Sequence, residues 1–331
     1  ACPTGWSRAW PARPPGWRPY TSYVAVFLAL TIGTVWGLCL FYLLNYEFAA
    51  AVLGPLVLTN PVVMLVLHSP ALAALGILLV YDGARGVANF LRTLVPRRRD
   101  LLWLPILIAV MLAYVFAIRL GCVAVGIPVP PDPMPPLDML TSFISLLWGE
   151  VGMVAIGIGW FGIFLPLMHR LTGSHLWSGI ATGGGVAVFA APGNLFSSFN
   201  LAMVWPLYAL QLVILGVAMS LLLSRMKGNT LFFLIPFWVS ASGSLWRAYY
   251  FAAATQLVQI TLLLALTGIL YLVLRHQARG NMAAPHTFPE YLEQDYTVRE
   301  GAILPGRGNR SCETATGYTP AARNLATKGA L

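Results

Sequence analysis

Long apolar stretches constrain the fold of this chain more than any other feature of its sequence. A helix needs about 20 largely apolar residues to cross the hydrocarbon core of a bilayer. Eight stretches of the 331-residue chain reach or approach that length. The sequence therefore predicts an all-α, polytopic membrane protein with about eight transmembrane helices, near residues 22–45, 61–81, 101–121, 138–158, 175–192, 201–224, 230–247 and 250–274.

The composition excludes several other classes of protein. Hydrophobic residues make up 58% of the chain and charged residues only 9%, whereas a soluble domain has about 45–50% apolar and about 25% charged residues. An ordinary soluble enzyme, a nucleic-acid-binding domain and a disordered polypeptide are all excluded. The formal charge of +9 instead indicates basic loops that face anionic lipid headgroups.

Two polar segments flank the apolar region, which we assign to a transmembrane domain at residues 21–275. Residues 1–20 form an arm rich in Pro, Arg and Trp, a composition that suits the headgroup layer. Residues 276–331 form a polar tail that holds five of the eleven acidic residues. Within the transmembrane domain, a Gly-Pro and an Asn-Pro pair interrupt residues 47–60, which predicts a re-entrant or interfacial piece.

The basic residues predict an orientation, because Lys and Arg accumulate in cytoplasmic loops. With the N-terminus inside, the internal loops at 82–100, 159–174 and 225–229 all contain basic residues. The external loops, at 46–60, 122–137 and 193–200, contain none. We therefore expect an integral protein of a bacterial inner membrane with both termini on the cytoplasmic side.

Ionisable residues inside the membrane are candidates for a functional site, since placing a charge in hydrocarbon is costly. Glu150 is the one acid well within an apolar stretch, which makes it a candidate functional residue. The alternative is a structural role, in which its carboxyl group forms hydrogen bonds that hold neighbouring helices together. His68 precedes Pro70 by two residues and is expected to satisfy the backbone that the proline frees. His169 and His175 flank a cytoplasmic turn without a carboxylate or cysteine at metal-ligand spacing, so we predict no metal site.

Residues 157–166 read GIGWFGIFLP, and they are followed by Leu176-Trp177, Phe189 and Pro192. This frame resembles the CPBP intramembrane proteases, the Abi/CAAX-protease group that includes prenyl-protein endopeptidases. Members of that family show a Glu-Glu-x-Gly-Trp-Arg-Gly-x-x-Leu-Pro segment followed by Trp-x-x-x-His-x-Pro. The resemblance covers about residues 60–245 and implies a CPBP-protease-like helical bundle.

The positions that carry chemistry in that family are apolar or small in this chain. The paired glutamates that activate a water fall on Ile156 and Gly157, the arginine on Phe161 and the histidine on Ala190. Residues 237–242, where a later His and Asn are expected, read FWVSAS. Hydrolysis needs an acid–base pair and donors that stabilise an oxyanion. The resemblance therefore implies a degenerate member without catalytic residues.

We expect a non-catalytic structural, assembly or regulatory subunit of a larger membrane complex, with photosynthetic and respiratory complexes among the candidates. Its expected partners are membrane lipids and other integral membrane proteins, not nucleic acid, and bound lipid is the only expected ligand. Two alternatives stay open. One is an active intramembrane or CAAX-type protease with Glu150 as base and His169 or His175 as helper. The other is a pigment- or quinone-binding subunit, with His68 as the ligand to the pigment.

Overall fold

The computed structural model describes residues 20–55, 60–94, 103–128, 151–194, 204–226 and 253–277. Almost all of these residues are helical, and no strand occurs among them. The elements in chain order are α1 (Tyr20–Leu44), α2 (Tyr46–Leu53), α3 (Pro61–Thr93), α4 (Trp103–Ala124), α5 (Val151–Gly157), a π-helix (Ile158–Phe164), α6 (Leu165–Thr172), α7 (His175–Ala190), a 3₁₀ turn (Ala191–Asn194), α8 (Trp205–Met226) and α9 (Ala253–Gln277).

The described helices are those of an integral membrane protein. Five segments are long and apolar enough to cross a bilayer: Thr21–Leu44, Pro61–Val80, Val154–Thr172, Trp205–Leu223 and Ala253–Gln277. Four of them match predicted spans, and α4 and α7 occupy two more of the predicted stretches. The predicted span at 230–247, and most of the one at 138–158, lie outside the described residues.

The prediction of a cytoplasmic loop over residues 159–174 was wrong. The chain stays helical from Val151 to Thr172, and the turn is reduced to Gly173 and Ser174. Glycines and a proline typically interrupt helices in water, but a membrane segment must satisfy its backbone internally and therefore keeps the helix. Gly173 ends α6 in the left-handed conformation, with φ of 65°. The hydroxyl of Ser174 then caps α7 by accepting from the Trp177 N–H.

The predicted loop over residues 82–100 is also partly helical. α3 breaks at Gly83, whose φ of 68° lies outside the helical region, and then continues to Thr93. Phe90 is fully buried in this second piece and Val87 packs beside it. The basic stretch after the second predicted span therefore begins as a helix that packs on the bundle.

The structure describes residues 47–55 and 60 of the predicted interfacial or re-entrant piece. α2 has eight residues, which extend for about 12 Å and cannot cross a bilayer. Asn60 closes the connection, because its side-chain amide donates to the carbonyl oxygens of Leu53 and Pro55 at 2.8 and 2.7 Å. Its Oδ1 accepts from the N–H of Val62 at the start of α3.

Two groups of helices build the bundle. The first, which we call the aromatic core, joins α1, α3, the π-helix, α6 and α7 through large apolar side chains such as Phe27, Trp160 and Phe164. The second, which we call the amide core, joins α4, α8 and α9 through Ile118, Ile214 and Leu263 and a set of glutamines.

Close packing between α7 and α8 connects the two cores. A Cβ atom at Gly183 would collide with the Leu212 carbonyl, and one at Gly216 would collide with the Gly179 carbonyl. Small residues allow membrane helices to approach this closely. The paired positions also show that α7 and α8 are antiparallel, since Gly179 lies near Gly216 and Gly183 lies near Leu212.

Candidate functional site

The segment that resembles the protease motif folds as the π-helix. Pro166 follows it closely, and a proline in an α-helix lacks an N–H and clashes with the carbonyl four residues earlier. The wider π turn accommodates this, because the Leu165 N–H donates to the carbonyl of Trp160, five residues earlier. The π-helix therefore has a local cause in the sequence, and it places Trp160 and Phe164 toward the aromatic core.

Trp160 lies at the centre of the aromatic core and is fully buried. Its ring centroid is 5.1 Å from that of Phe27, 5.0 Å from that of Phe164 and 6.1 Å from that of Phe189. All three pairs approach edge to face, a favourable geometry for aromatic rings. The six-membered ring of Trp160 also packs directly on Gly185, where a Cβ would collide with it.

The four positions at which the resembled protease family has its catalytic residues lie in or beside the aromatic core. Ile156 and Phe161 are 6% and 2% exposed. Gly157 is buried and Ala190 is half-buried. No ionisable group stands at these four positions. The Trp160 indole N–H, which has no hydrogen-bond partner among the described residues, is a lone donor in apolar surroundings.

The structure does bring His169 and His175 together. Their ring centroids are 4.4 Å apart across the turn between α6 and α7. Nδ1 of His175 lies 3.2 Å from Oγ of Ser220 on α8, and Oγ of Ser178 lies 3.2 Å from the same hydroxyl. His169, Ser178 and Ser220 are all buried. These four residues form a polar cluster at the end of the α7–α8 contact.

The imidazoles and hydroxyls of this cluster can each donate or accept hydrogen bonds, and none of its four residues has a carboxylate. No group of three or more His, Cys, Asp and Glu residues suited to a metal ion occurs among the described residues. Glu150, the proposed base, lies outside the described residues. The contacts within the cluster link α6 to α7 and α7 to α8.

His68 does not have the role expected from the sequence. Its Nδ1 lies 2.8 Å from the carbonyl oxygen of Met64 on its own helix. The carbonyl that Pro70 leaves without an N–H donor is that of Val66, and the hydroxyl of Ser69 donates to it at 2.8 Å. The prediction for His68 was therefore wrong, and Ser69 provides the compensation at this turn.

Sequence reasoning missed the polar residues of the amide core. Nε2 of Gln211 on α8 donates to Oε1 of Gln259 on α9 at 2.6 Å, and the hydroxyl of Tyr114 on α4 donates to the Gln259 carbonyl at 3.4 Å. Near the start of α9, Oε1 of Gln256 accepts from the Val204 N–H at 3.0 Å. Neutral amides are overlooked when only ionisable residues are considered, although Gln211, Gln256 and Gln259 lie within two apolar stretches of the sequence.

The pairing of these amides defines the direction of the helices. Val204 lies near Gln256, and Gln211 lies near Gln259, so α8 and α9 run parallel and begin at the same end of the bundle.

The prediction of ionisable residues inside the membrane also omitted Arg119, a half-buried cation in α4.

Comparison with protein-family models found no match to this chain, and comparison with curated proteins found none either. The membrane class of the protein therefore follows from its own helices. Its family and its function are proposals from the residues described above.

Proposed function

We propose that this chain is a non-catalytic integral membrane protein with a CPBP-protease-like fold, acting as a structural, assembly or regulatory subunit of a larger membrane complex. The observation that carries the proposal is the packing around Trp160. The positions that carry chemistry in the resembled family, Ile156, Gly157, Phe161 and Ala190, hold apolar or small residues in or beside this aromatic core. Water activation needs an acid–base pair, which these residues do not supply.

The outer helices support the subunit role. α9 exposes apolar side chains along much of its length, among them Leu264, Ile269 and Leu272, which are 52%, 58% and 61% exposed. In a bilayer such a surface is covered by lipid or by helices of another subunit. The polar tail and the arm rich in Trp and Arg add further surface for partners.

We also propose eight spans, both termini on the cytoplasmic side and a bacterial inner membrane. The parallel arrangement of α8 and α9 supports this count. α8 ends at Met226 and α9 begins at Ala253. If both helices span the membrane, a further span between them, at the predicted 230–247, would allow them to run in the same direction. The orientation depends on the basic residues of the internal loops.

The test combines a peptidase assay with an assembly assay. Protein in lipid nanodiscs is incubated with an internally quenched, prenylated CAAX peptide, and native membranes solubilised in mild detergent are analysed by native gel and mass spectrometry. We expect no cleavage and a stoichiometric complex larger than the 35.9 kDa chain. A chain that runs alone from native membranes would contradict the subunit role.

A second candidate function is an intramembrane protease with an atypical site, and the short distance between His169 and His175 favours it. In the peptidase assay, cleavage that disappears in Glu150→Gln and persists in Glu47→Gln would establish this candidate. Glu47 is a suitable control because it is an exposed acid on α2. Cleavage that disappears in His175→Ala would add the polar cluster to the site.

The pigment-binding alternative predicts a coloured protein. An absorption spectrum of the purified complex, compared with that of His68→Leu, tests it. Nδ1 of His68 is held by the Met64 carbonyl, so Nε2 would be the nitrogen that binds a pigment. A colourless, monodisperse sample would exclude this version.

A further inference from the structure

Two buried hydrogen-bond donors lie at the shared starting end of α8 and α9. Thr255 and Gln256 occupy the first turns of α9, and both are 0% exposed. Oγ1 of Thr255 and Nε2 of Gln256 have no hydrogen-bond partner among the described residues. Leaving such groups unpaired in a membrane interior is costly, so an acceptor at this position would stabilise the protein.

The orientation of the Gln256 amide follows from its neighbour. The Val204 N–H can only donate, and it faces the Gln256 side chain at 3.0 Å. The amide atom at that contact must therefore be Oε1, and the donor Nε2 is directed elsewhere. Thr255, the preceding residue, adds a hydroxyl. The site, defined as Thr255 and Gln256, thus has two donors for a ligand, while its amide oxygen already accepts one hydrogen bond, from Val204.

The described charges around the site favour a neutral acceptor over an anion. The first turns of α8 and α9 contain no Lys or Arg, and the basic residues of α9, Arg275 and His276, lie in its last turn. Burying an anion without a paired cation is costly, whereas a carbonyl oxygen accepts hydrogen bonds without that cost.

The position of the site indicates a ligand that is dissolved in the membrane. Trp205 and Tyr208 begin α8, with ring centroids 5.9 Å apart, and such aromatic residues typically lie at the boundary between headgroups and hydrocarbon. Val204 and Leu257 beside the site are 40% and 54% exposed, and this apolar surface suits an acyl or isoprenoid chain.

We propose that Thr255 and Gln256 bind the carbonyl oxygen of a membrane-dissolved molecule, either the ester of a glycerolipid or the carbonyl of a quinone. Both sources present an uncharged acceptor attached to a long apolar chain. The carbonyl accepts hydrogen bonds from Nε2 of Gln256 and Oγ1 of Thr255, and the chain lies along Val204 and Leu257.

The test measures ligand retention by native mass spectrometry after transfer of the full chain from nanodiscs into detergent. One arm uses ester-linked phosphatidylcholine, a second uses its ether-linked analogue, and a third adds decylubiquinone to ether-linked discs. Retention of the ester lipid over the ether lipid identifies a glycerolipid. Retention in the third arm alone identifies a quinone.

The decisive variants are Thr255→Val and Gln256→Met, with Thr261→Val as the matched control. Thr261 is exposed on the same helix, and its hydroxyl donates to the Leu257 carbonyl at 2.9 Å. We expect ligand occupancy to fall about threefold in Thr255→Val and about tenfold in Gln256→Met, since each loses a hydrogen bond to the ligand. The control should retain the wild-type occupancy.

Thr255→Val keeps the proposal testable if Gln256→Met fails to fold. The Thr255 hydroxyl has no partner to lose among the described residues, so its removal should leave the fold intact. Equal occupancy in the wild type and in Thr255→Val would overturn the proposal. The absence of any retained ester lipid or quinone in the wild-type protein would also overturn it.

Discussion

The aromatic core and the amide core each hold several helices together, but they do so through different kinds of side chain. Around Trp160 the helices meet through rings and aliphatic side chains, with one unpaired indole N–H. Around Gln259 they meet through amides and a tyrosine hydroxyl that span three helices. In a bilayer, apolar residues do not distinguish a protein neighbour from a lipid tail, whereas interhelical hydrogen bonds do. The aromatic core therefore depends on shape, and the amide core depends on pairing.

The two cores also differ in the polar groups that they contain. The segment that resembles a protease motif lies in the aromatic core, where the chemistry of the family has no side chains to carry it. Of the described buried polar groups without a hydrogen-bond partner, Thr255 and Gln256 belong to the amide core and Trp160 belongs to the aromatic core.

The largest expected effect tests the dependence of the aromatic core on shape. Trp160→Ala removes a fully buried indole and leaves a cavity, so the free energy of unfolding should fall by about 3 kcal/mol or more. Trp160→Phe should cost less than about 1.5 kcal/mol, because it keeps a ring and removes the unpaired N–H. Unfolding in mixed micelles of sodium dodecyl sulfate, followed by circular dichroism, measures both. A cost below about 1 kcal/mol for Trp160→Ala would contradict this packing.

A smaller effect is expected at the contact between the two cores. Gly183→Ala places a methyl group against the Leu212 carbonyl and the Cα of Val213, which should cost about 1–3 kcal/mol by overpacking. Gly184→Ala is the matched control, since its Cβ meets nothing within 4 Å. That substitution should stabilise the helix by about 0.5–1 kcal/mol. Melting temperatures in mild detergent should therefore shift in opposite directions, and shifts of the same sign would exclude this helix contact.

The smallest effect tests pairing in the amide core. Gln211→Leu, Gln259→Leu and the double variant form a cycle that isolates the hydrogen bond between the two side chains. We expect a coupling free energy of about 0.6 kcal/mol, the average for polar pairs between membrane helices, and no more than about 1.7 kcal/mol. Unfolding in mixed micelles provides the measurement. Strictly additive single effects would show that the amides stabilise their helices independently.

The amino-acid sequence was sufficient to predict the membrane class and the places of most of the described helices, because a long apolar stretch has few stable alternatives to a helix in lipid. α1, α3, α4, α8 and α9 lie where the apolar stretches predict them. The same reasoning failed over residues 159–174, which were expected to form a loop between two apolar stretches. There the wider turn before Pro166 and the packing of Trp160 kept the segment helical.

The contacts between polar residues could not be predicted from the sequence and depend on how the helices pack. His169 and His175 are six positions apart, and Ser220 is another 45 positions along the chain from His175, yet they form one cluster. Gln211 and Gln259 are 48 positions apart and share a 2.6 Å hydrogen bond. The apolar pattern tells how far each helix extends, but it leaves open which face of each helix meets which neighbour. That choice depends on steric fit at Gly183 and Trp160 and on the pairing of amides between helices, which arise only when the helices pack together.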